Sequence, residues 1–360
     1  MKIGIVNDLA VACEALRRAV AQDQALEVAW IARDGVEAVE CARRARPDVI
    51  LMDLIMPRMD GVEATREIMR VAPCPILVVT ATVTGNASLV YEALGAGALD
   101  AVNTPTFARG AEVDGAAELL RRIRLIARVE SLPVHAPQAA PAIAPAAQRT
   151  SRARVAPALG VHQGSAPGVP IVAIGASTGG PRAVADVIRA LPRPFPAALL
   201  VVQHVSQLFV QGFAEWLAAE TGARVVLARA GHAPQAGEVL VAAEDRHLVL
   251  ASDGRLAYRD EPVLHPSVQL HRPAVDELFA SLAAGRQRGV AVLLTGMGRD
   301  GAEGMLRLRR AGWHTIAQDQ ATSIVWGMPG AAVELGAACE VLPITAIAGA
   351  ITGAIARKVE

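Results

Sequence analysis

The sequence has few cysteines and no excess of charge of either sign. Lys and Arg total 35, as do Asp and Glu, so no net charge favours binding to nucleic acid or to an anionic membrane. The four cysteines lack C-x-x-C spacing, which argues against a disulfide framework and a zinc site; they are Cys13, Cys41, Cys74 and Cys339. We therefore expect free thiols in a reducing cytosol, and proteins or small molecules as partners.

The chain also lacks a segment that would export it or span a membrane. Asn7 and Asp8 stand where a signal peptide has its apolar core, so export is not expected. The longest apolar run, 341–356, contains Pro343 and is shorter than a membrane span. We predict that this run forms a closing packed helix, and that the protein is cytoplasmic without membrane insertion.

Length and composition predict two domains joined by a linker. A chain of 360 residues is too long for one ordinary domain, and 52% hydrophobic residues can supply large cores. Apolar runs alternate with helical patterns in residues 1–130 and again in 169–360, which predicts two α/β domains. Residues 131–168 are rich in Ala, Pro, Gln, Ser and Gly without apolar periodicity, and we interpret them as a linker.

In the first domain, polar residues follow the predicted strands of a flavodoxin-like, doubly wound parallel sheet. They are Asn7 and Asp8, then Asp53, Thr80 and Thr104. Because the carboxyl ends of parallel strands share one edge, these side chains should converge on one crevice. Clustered carboxylates suit a hard cation such as Mg²⁺. The predicted strands are 3–6, 28–32, 49–52, 76–79 and 99–102.

Two motifs in this domain resemble those of two-component receiver domains. They are IVND at 5–8 and MDLIMPRMDG at 52–61. The resemblance implies that Asp53 accepts a phosphoryl group and that Thr80 takes part in the conformational switch. It also implies that Asp8, Asp53 and the backbone carbonyl of Ile55 hold Mg²⁺, which neutralises charge during transfer. The alternative is that Asp53 is an ordinary strand-end cap.

The first domain departs from the receiver pattern at two positions. Asn7 stands where receivers usually have a second acid, which should weaken Mg²⁺ binding. Thr104 stands where they usually have a lysine, so no ammonium is available to pair with the phosphoryl oxygens. Our hypothesis is that Asp53 is still phosphorylated, but that phosphorylation couples less strongly to the switch at Thr80.

The second domain opens with IVAIGASTGG at 171–180, which predicts a strand, a tight turn and a helix. Ser177 in this turn would stand beyond the carboxyl end of a strand, a position that suits a nucleophile. The turn lacks the Lys-Ser/Thr ending of a P-loop and the G-x-G-x-x-G spacing of a dinucleotide site. Taken alone, a simple connecting turn is an equal alternative.

Two further residues of the kind found in catalytic triads follow predicted strands. His204 comes after the run 198–202, and Asp300 lies in a glycine-rich turn after 290–294. Ser177, His204 and Asp300 are thus predicted on one edge of a sheet. Their chain order differs from the orders of familiar serine hydrolases, but a triad is defined by geometry. His265 and His271 compete with His204 for the role of base.

The second domain resembles the catalytic domain of the CheB family of chemotaxis protein-glutamate methylesterases. With the receiver and linker, the resemblance covers essentially the whole chain. The opening motif and the absence of the lysine at 104 resemble the Wsp-type branch, WspF, which is associated with surface sensing. Val205-Ser206 stand where the family often has Met-Pro, which affects the substrate groove. The catalytic motifs lie at 175–180, 203–204, 271–276, 295–302 and 321–329.

The resemblance implies hydrolysis of glutamate methyl esters on a chemoreceptor-like protein, with release of methanol, and deamidation of receptor glutamines. Ser177 would be the nucleophile, His204 the general base and Asp300 the residue that orients it. The backbone N–H of Met297 would stabilise the oxyanion, helped by the region of Thr178. This domain would need no cofactor. A histidine kinase would phosphorylate the receiver, which otherwise covers the active site.

Other interpretations of these residues remain. A receiver-gated adaptor could bind a receptor or a kinase without turnover. A receiver that drives DNA binding fits less well, because the second domain is larger than a helix-turn-helix module and has no basic stripe. Arg272 is as consistent with shaping the substrate site as with a structural role, and Trp313 and Trp326 fit packing better than cofactor stacking.

Overall fold

A computed structural model describes most of the chain outside the predicted linker. The described residues are 1–80, 87–107, 113–127, 169–205, 207–261, 271–285 and 287–359. The linker predicted at 131–168 lies outside them. The boundaries of the two domains, 1–130 and 169–360, therefore stay predictions.

The first part of the chain forms a five-stranded parallel sheet with strand order β2-β1-β3-β4-β5. This order confirms the flavodoxin-like prediction, and each strand begins and ends within one residue of its predicted position. The strands are β1 (Lys2–Val6), β2 (Glu27–Ala32), β3 (Val49–Met52), β4 (Ile76–Thr80) and β5 (Asp100–Asn103). The helices are α1 (Ala10–Val20), α2 (Gly35–Arg44), α3 (Gly61–Val71), α4 (Ala87–Ala96) and α5 (Ala116–Ala127). A short antiparallel pair joins β6 (Thr106–Phe107) to β7 (Val113–Asp114).

The second part forms a seven-stranded parallel sheet with strand order β10-β11-β9-β8-β14-β15-β16. Its strands are β8 (Ile171–Ala176), β9 (Ala198–Gln203), β10 (Arg224–Leu227), β11 (Glu238–Val241), β14 (Gly289–Leu293), β15 (His314–Gln318) and β16 (Glu340–Leu342). An antiparallel hairpin consists of β12 (His247–Leu250) and β13 (Leu256–Arg259). The helices are α6 (Gly180–Ala190), α7 (Gln207–Thr221), α8 (Val275–Ala284), α9 (Ala302–Arg310), α10 (Met328–Glu334) and α11 (Ile344–Val359).

The order in which the chain adds strands to the second sheet reverses at β8, although the strands on both sides of β8 are parallel to it. From β8 the chain builds outwards through β9 towards one edge, and then returns to place β14 on the other side of β8. Such a switch point leaves a crevice beyond the carboxyl ends of the central strands. Ser177, His204 and Asp300 all follow these central strands, after β8, β9 and β14 respectively.

The C-terminal apolar run is a strand followed by a helix. We predicted one helix over 341–356, but Val341 and Leu342 belong to β16, and the helix α11 begins only at Ile344. Pro343 separates the two elements because it cannot donate the backbone hydrogen bond that a continuing helix needs. The packing prediction holds for α11, whose Ile347 is fully buried. No helix among the described residues is long and apolar enough to cross a membrane.

The two parts of the chain contact each other through α4 of the first part and through α6 and α7 of the second. Tyr91 of α4 packs on Phe213 and Trp216 of α7, with ring centroids 5.4 and 6.0 Å apart. The guanidinium of Arg182 in α6 donates a 2.6 Å hydrogen bond to the carbonyl of Gly95 in α4. Buried aromatic area of this kind is a main source of interface stability, so α4 is anchored on the second part of the chain.

Two helical glycines of the second part differ in the space around them, and we expect the same substitution to have opposite effects. A Cβ at Gly304 would lie 2.7 Å from Phe279 Cβ and 2.8 Å from the carbonyl oxygen of Asp276, whereas nothing lies within 4 Å of one at Gly349. Gly304→Ala should lower the free energy of unfolding by about 1–3 kcal/mol through overpacking. Gly349→Ala should raise it by up to about 1 kcal/mol through helix propensity. Urea denaturation would measure both, and equal effects would contradict the predicted packing.

Candidate active site

Backbone and side-chain hydrogen bonds on both sides hold the turn that carries Ser177. Its N–H donates to the carbonyl of Thr295, 3.0 Å away in the turn after β14. Its own carbonyl accepts bonds from the side chain of Gln203 and from the N–H of Gly180, each 2.8 Å long. The half-buried serine therefore occupies a fixed position between the ends of β8, β9 and β14.

Close approach at Ser177 depends on glycine at two positions. A Cβ at Gly296 would lie 2.8 Å from the Cβ of Ser177, so only glycine lets the turn after β14 come this near. Gly179 has a φ of 74°, in the left-handed region that favours glycine, and it precedes α6 directly. The glycine-rich sequence around the serine is thus required by its geometry.

His204 and Asp300 form a direct contact between two strand ends. The Nε2 of His204 lies 2.7 Å from Oδ2 of Asp300, and the two side chains are 5% and 8% exposed. Because the carboxylate accepts at Nε2, the neutral imidazole carries its proton there, and Nδ1 is left as the basic nitrogen. Nδ1 is buried and has no hydrogen-bond partner among the described residues. Asp300 therefore orients the imidazole of His204, the predicted base, while Nδ1 makes no hydrogen bond to Ser177 or to another described residue.

Asp300 is held as a carboxylate by backbone N–H groups at the start of α8. Its Oδ1 accepts from Asp276 N–H at 2.9 Å, and its Oδ2 accepts from Val275 N–H at 2.8 Å. Burial alone would raise the pKa of Asp300, but the hydrogen bond from His204 and the two N–H groups outweigh it and lower the pKa. Asp300 is thus ionised at neutral pH and can orient and stabilise a charged His204.

His271 lies beside the predicted base without replacing it. Its ring stacks on that of His204, with centroids 4.2 Å apart and planes 25° from parallel. Loss of water contact and then the neighbouring His204 lower the pKa of His271. The contact with Asp300 distinguishes His204 from this competitor, while His265 lies outside the described residues. Sequence spacing did not predict the stacking, because residues 204 and 271 are far apart in the chain.

The predicted oxyanion donor lies at the mouth of the same site. Met297 follows Gly296 in the turn after β14 and is 39% exposed. Among the described residues, none accepts a hydrogen bond from the backbone N–H of Met297 or of Thr178. Both groups are therefore available to a ligand beside Ser177, as an oxyanion hole requires.

A cavity of about 510 Å³ lies at the candidate active site, and residues from both parts of the chain line it. The residues from the second part include Ser177, His204, His271, Arg272 and Met297. The first part contributes residues from α4, β5 and α5. They are Val90, Tyr91, Leu94, Leu99, Asp100, Ala101, Val102, Asn103, Glu118, Arg121 and Arg122. The receiver-like part therefore forms one wall of the candidate active site.

The polar crevice of the first sheet has Asp53 at its centre. Oδ2 of Asp53 accepts a 2.9 Å hydrogen bond from the side-chain amide of Asn7, and Oδ1 accepts the N–H of Leu54 at 2.7 Å. Burial is the main cause that raises the pKa of Asp53 to about 6, and the nearby Asp8 carboxylate adds to it. Asp53 is thus a buried carboxylate whose side chain bonds the end of a second strand, which a simple strand-end cap does not require.

Thr80 and Thr104 complete the crevice at the ends of β4 and β5. Both are buried, and the N–H of Thr104 donates to the carbonyl of Thr80 at 3.0 Å. The Thr104 hydroxyl has no hydrogen-bond partner among the described residues, although it is buried. An unpaired buried hydroxyl is unfavourable, and here it occupies the position where a receiver usually has its lysine.

The oxygen donors of this crevice suit a hard cation such as Mg²⁺, which they would bind with modest affinity. Asp8 and Asp53 interact through their charges and can supply two carboxylates. The backbone carbonyl of Ile55, predicted as a third ligand, belongs to a residue whose N–H donates a hydrogen bond to Asp53. The side-chain amide of Asn7 is already committed to Asp53 and Leu9. No cluster of three or more His, Cys, Asp and Glu side chains that could hold a metal ion occurs among the described residues, so an ion here would need the carbonyl of Ile55 and water in addition to the two acids.

Comparison with known proteins covers both parts of the chain. Residues 3–109 match the response regulator receiver domain, and residues 172–351 match CheB methylesterase. The protein-glutamate methylesterase/protein-glutamine glutaminase 4 of Burkholderia thailandensis is 50% identical over 99% of this chain and 98% of its own length. Protein-glutamate methylesterase/protein-glutamine glutaminase 2 of Cupriavidus metallidurans is 51% identical over 97% of this chain and 96% of its own.

Among solved structures, the CheB methylesterase catalytic domain of Thermotoga maritima is 35% identical to this chain. It aligns with 51% of this chain and 97% of its own, with a TM-score of 0.46.

These matches define a response regulator whose receiver domain precedes an esterase domain. The chain belongs to the CheB family of protein-glutamate methylesterases. The predicted family and fold class are thereby confirmed. Assignment to the Wsp-type branch stays a prediction.

The raised pKa of Asp53 predicts a pH-dependent effect of Asp53→Asn. The pKa is about 6 in the folded protein and about 3.9 in an unfolded chain. Ionisation of Asp53 therefore lowers the free energy of unfolding. This loss is small near pH 4 and reaches its full size above pH 6. The variant should be more stable than the wild type by about 3 kcal/mol at pH 8, and nearly equal at pH 4.

Urea denaturation at the two pH values would measure this difference. Mg²⁺ should stabilise the wild type at pH 8 and leave the variant unchanged. A variant that is less stable than the wild type at pH 8 would contradict the buried charge at Asp53.

Proposed function

We propose that this protein hydrolyses glutamate methyl esters on a chemoreceptor-like protein by a Ser-His-Asp mechanism. The single observation that carries the proposal is the 2.7 Å contact between His204 and Asp300 beside Ser177, at the switch point of the parallel sheet. The relatives that match the chain over nearly its whole length are named for the same reaction and for glutamine deamidation.

In the first half of the reaction, Ser177 is the nucleophile. Its Oγ attacks the ester carbonyl carbon while Nδ1 of His204 takes the hydroxyl proton, which leaves the imidazole charged. Asp300 stabilises that charge through Nε2. The backbone N–H groups of Met297 and Thr178 bind the developing oxyanion, a contribution of about 2.7–4 kcal/mol for a single donor.

The second half releases the products and restores the enzyme. His204 returns its proton to the departing methoxide, which leaves as methanol, and an acyl-enzyme remains on Ser177. Nδ1 then takes a proton from water, whose oxygen attacks the acyl carbon. The bond to Ser177 Oγ breaks, His204 returns that proton to Oγ, and glutamate is released. With glutamine as substrate the leaving group is ammonia, and the remaining steps are unchanged.

The receiver regulates access to this site. It supplies α4, β5 and α5 as one wall of the active-site cavity, so a receptor helix cannot reach Ser177 until that wall moves. A histidine kinase donates a phosphoryl group to Asp53, and Asp8, Asp53 and the carbonyl of Ile55 hold the Mg²⁺ that neutralises its charge. Because Thr104 has no ammonium to pair with the phosphoryl oxygens, phosphorylation moves the switch at Thr80 only partly.

The first prediction of this proposal concerns Ser177. Ser177→Ala should lower methanol release from methylated receptor by at least about 10³-fold, because it removes the oxygen that forms the acyl-enzyme in the proposed mechanism. Ser281→Ala is the control, since its hydroxyl bonds Leu278 on α8 and Leu250 on β12, away from the lining of the active-site cavity, and it should retain wild-type turnover. Tight receptor binding with no release by the wild type would instead favour a non-catalytic adaptor.

A second prediction concerns the interface between receiver and esterase domain. Tyr91→Ala removes a buried ring that packs on Phe213 and Trp216, so the closed arrangement should weaken and methanol release without phosphodonor should rise several-fold. Phe107→Ala removes a receiver ring that is 40% exposed and contacts Arg18 instead. That control should leave the unstimulated rate unchanged. Equal rates for Tyr91→Ala and the wild type would show that this contact does not keep the enzyme closed.

A further inference from the structure

Two helices of the catalytic domain begin beside the His204–Asp300 pair, and neither has a cap from its own N-terminal residue. α8 follows Ala274 and α9 follows Gly301, and no side chain at either position accepts a hydrogen bond. The first N–H groups of a helix have no partner within the helix. In a buried setting these groups must therefore be satisfied by residues from elsewhere in the fold.

The two helix ends are satisfied by an exchange of carboxylates. Asp300, which precedes α9, accepts the N–H groups of Val275 and Asp276 at the start of α8, at 2.8 and 2.9 Å. Asp276, in the first turn of α8, accepts the N–H of Gly304 at 2.7 Å and also that of Gly301. The start of α8 is thus capped by Asp300 from the turn before α9, and the start of α9 is capped by Asp276 from α8, so the start of each helix fixes the start of the other.

Packing alone gives no reason for an aspartate at position 276. The residue is 3% exposed, and burial followed by the adjacent Asp300 carboxylate raises its pKa. Placing a second carboxyl group beside an ionised one is unfavourable, and an apolar residue would avoid that penalty. The gain that offsets it must come from what Asp276 holds in place.

We propose that Asp276 is a positioning residue for the esterase reaction: it anchors the start of α9 and so fixes the turn from which Asp300 reaches His204. This inference rests on the proposed esterase function. The two helix ends have little slack, because a Cβ at Gly304 would already lie 2.8 Å from the backbone oxygen of Asp276. A displacement of about 1 Å in a catalytic group can cost about 10²-fold in rate.

A double-mutant cycle in the full-length protein tests the proposal, with methanol release from methylated receptor as the assay and phosphodonor present throughout. Asp276→Ala should lower kcat by about 10- to 100-fold, with KM changed less than about two-fold because the substrate does not touch this residue. In an Asp300→Ala background the same substitution should have no further effect, since Asp276 acts through Asp300. Asp276→Asn keeps one side-chain oxygen for the helix N-terminus and should retain more activity than Asp276→Ala.

Glu334→Ala is the matched control. It removes an exposed carboxylate that pairs at 3.0 Å with Arg299, the residue before Asp300, and kcat should not change. Equal proportional losses on removing Asp276 in both backgrounds would indicate a purely structural role and overturn the proposal, as would wild-type kcat in Asp276→Ala. If Asp276→Ala fails to fold, the same cycle with Asp276→Asn decides. Absence of methanol release from the wild type would instead refute the esterase function, and this inference with it.

Discussion

The candidate active site depends on the hydrogen bonds of one buried carboxylate, that of Asp300. It joins the end of β14 to His204 at the end of β9 and to the start of α8 through three hydrogen bonds. A carboxylate that is nearly inaccessible to water would be expelled or protonated without such partners. With them it stays ionised, and it fixes which nitrogen of His204 is basic. The proposed role of His204 as the base for Ser177 depends on that choice.

The active-site cavity depends on both domains. The esterase domain does not enclose this cavity by itself, because α4, β5 and α5 of the receiver close one side of it. The aromatic contact of Tyr91 with α7 lies next to that wall. In the proposed regulation, a movement of the receiver would therefore change access to Ser177 directly, without a long pathway of coupled residues.

The receiver crevice shows what two substitutions in a familiar pattern do locally. Asn7 gives a hydrogen bond to Asp53 where an acid would add charge, and Thr104 leaves a buried hydroxyl without a described partner. Asp53 is consequently surrounded by less charge of both signs than a receiver with the usual residues would provide. Its raised pKa reflects burial first and the remaining carboxylate, Asp8, second.

The sequence by itself determined the two parallel sheets, because buried strands and helices have different hydrophobic periods that can be recognised locally. It also placed Ser177, His204 and Asp300 at strand ends, since motif and strand are continuous in the chain. It could not separate the C-terminal strand from α11, nor predict the stacking of His271. The exchange of caps between Asp276 and Asp300 was equally beyond it. These features depend on which strands become neighbours and how closely helices approach, and only the tertiary structure decides that.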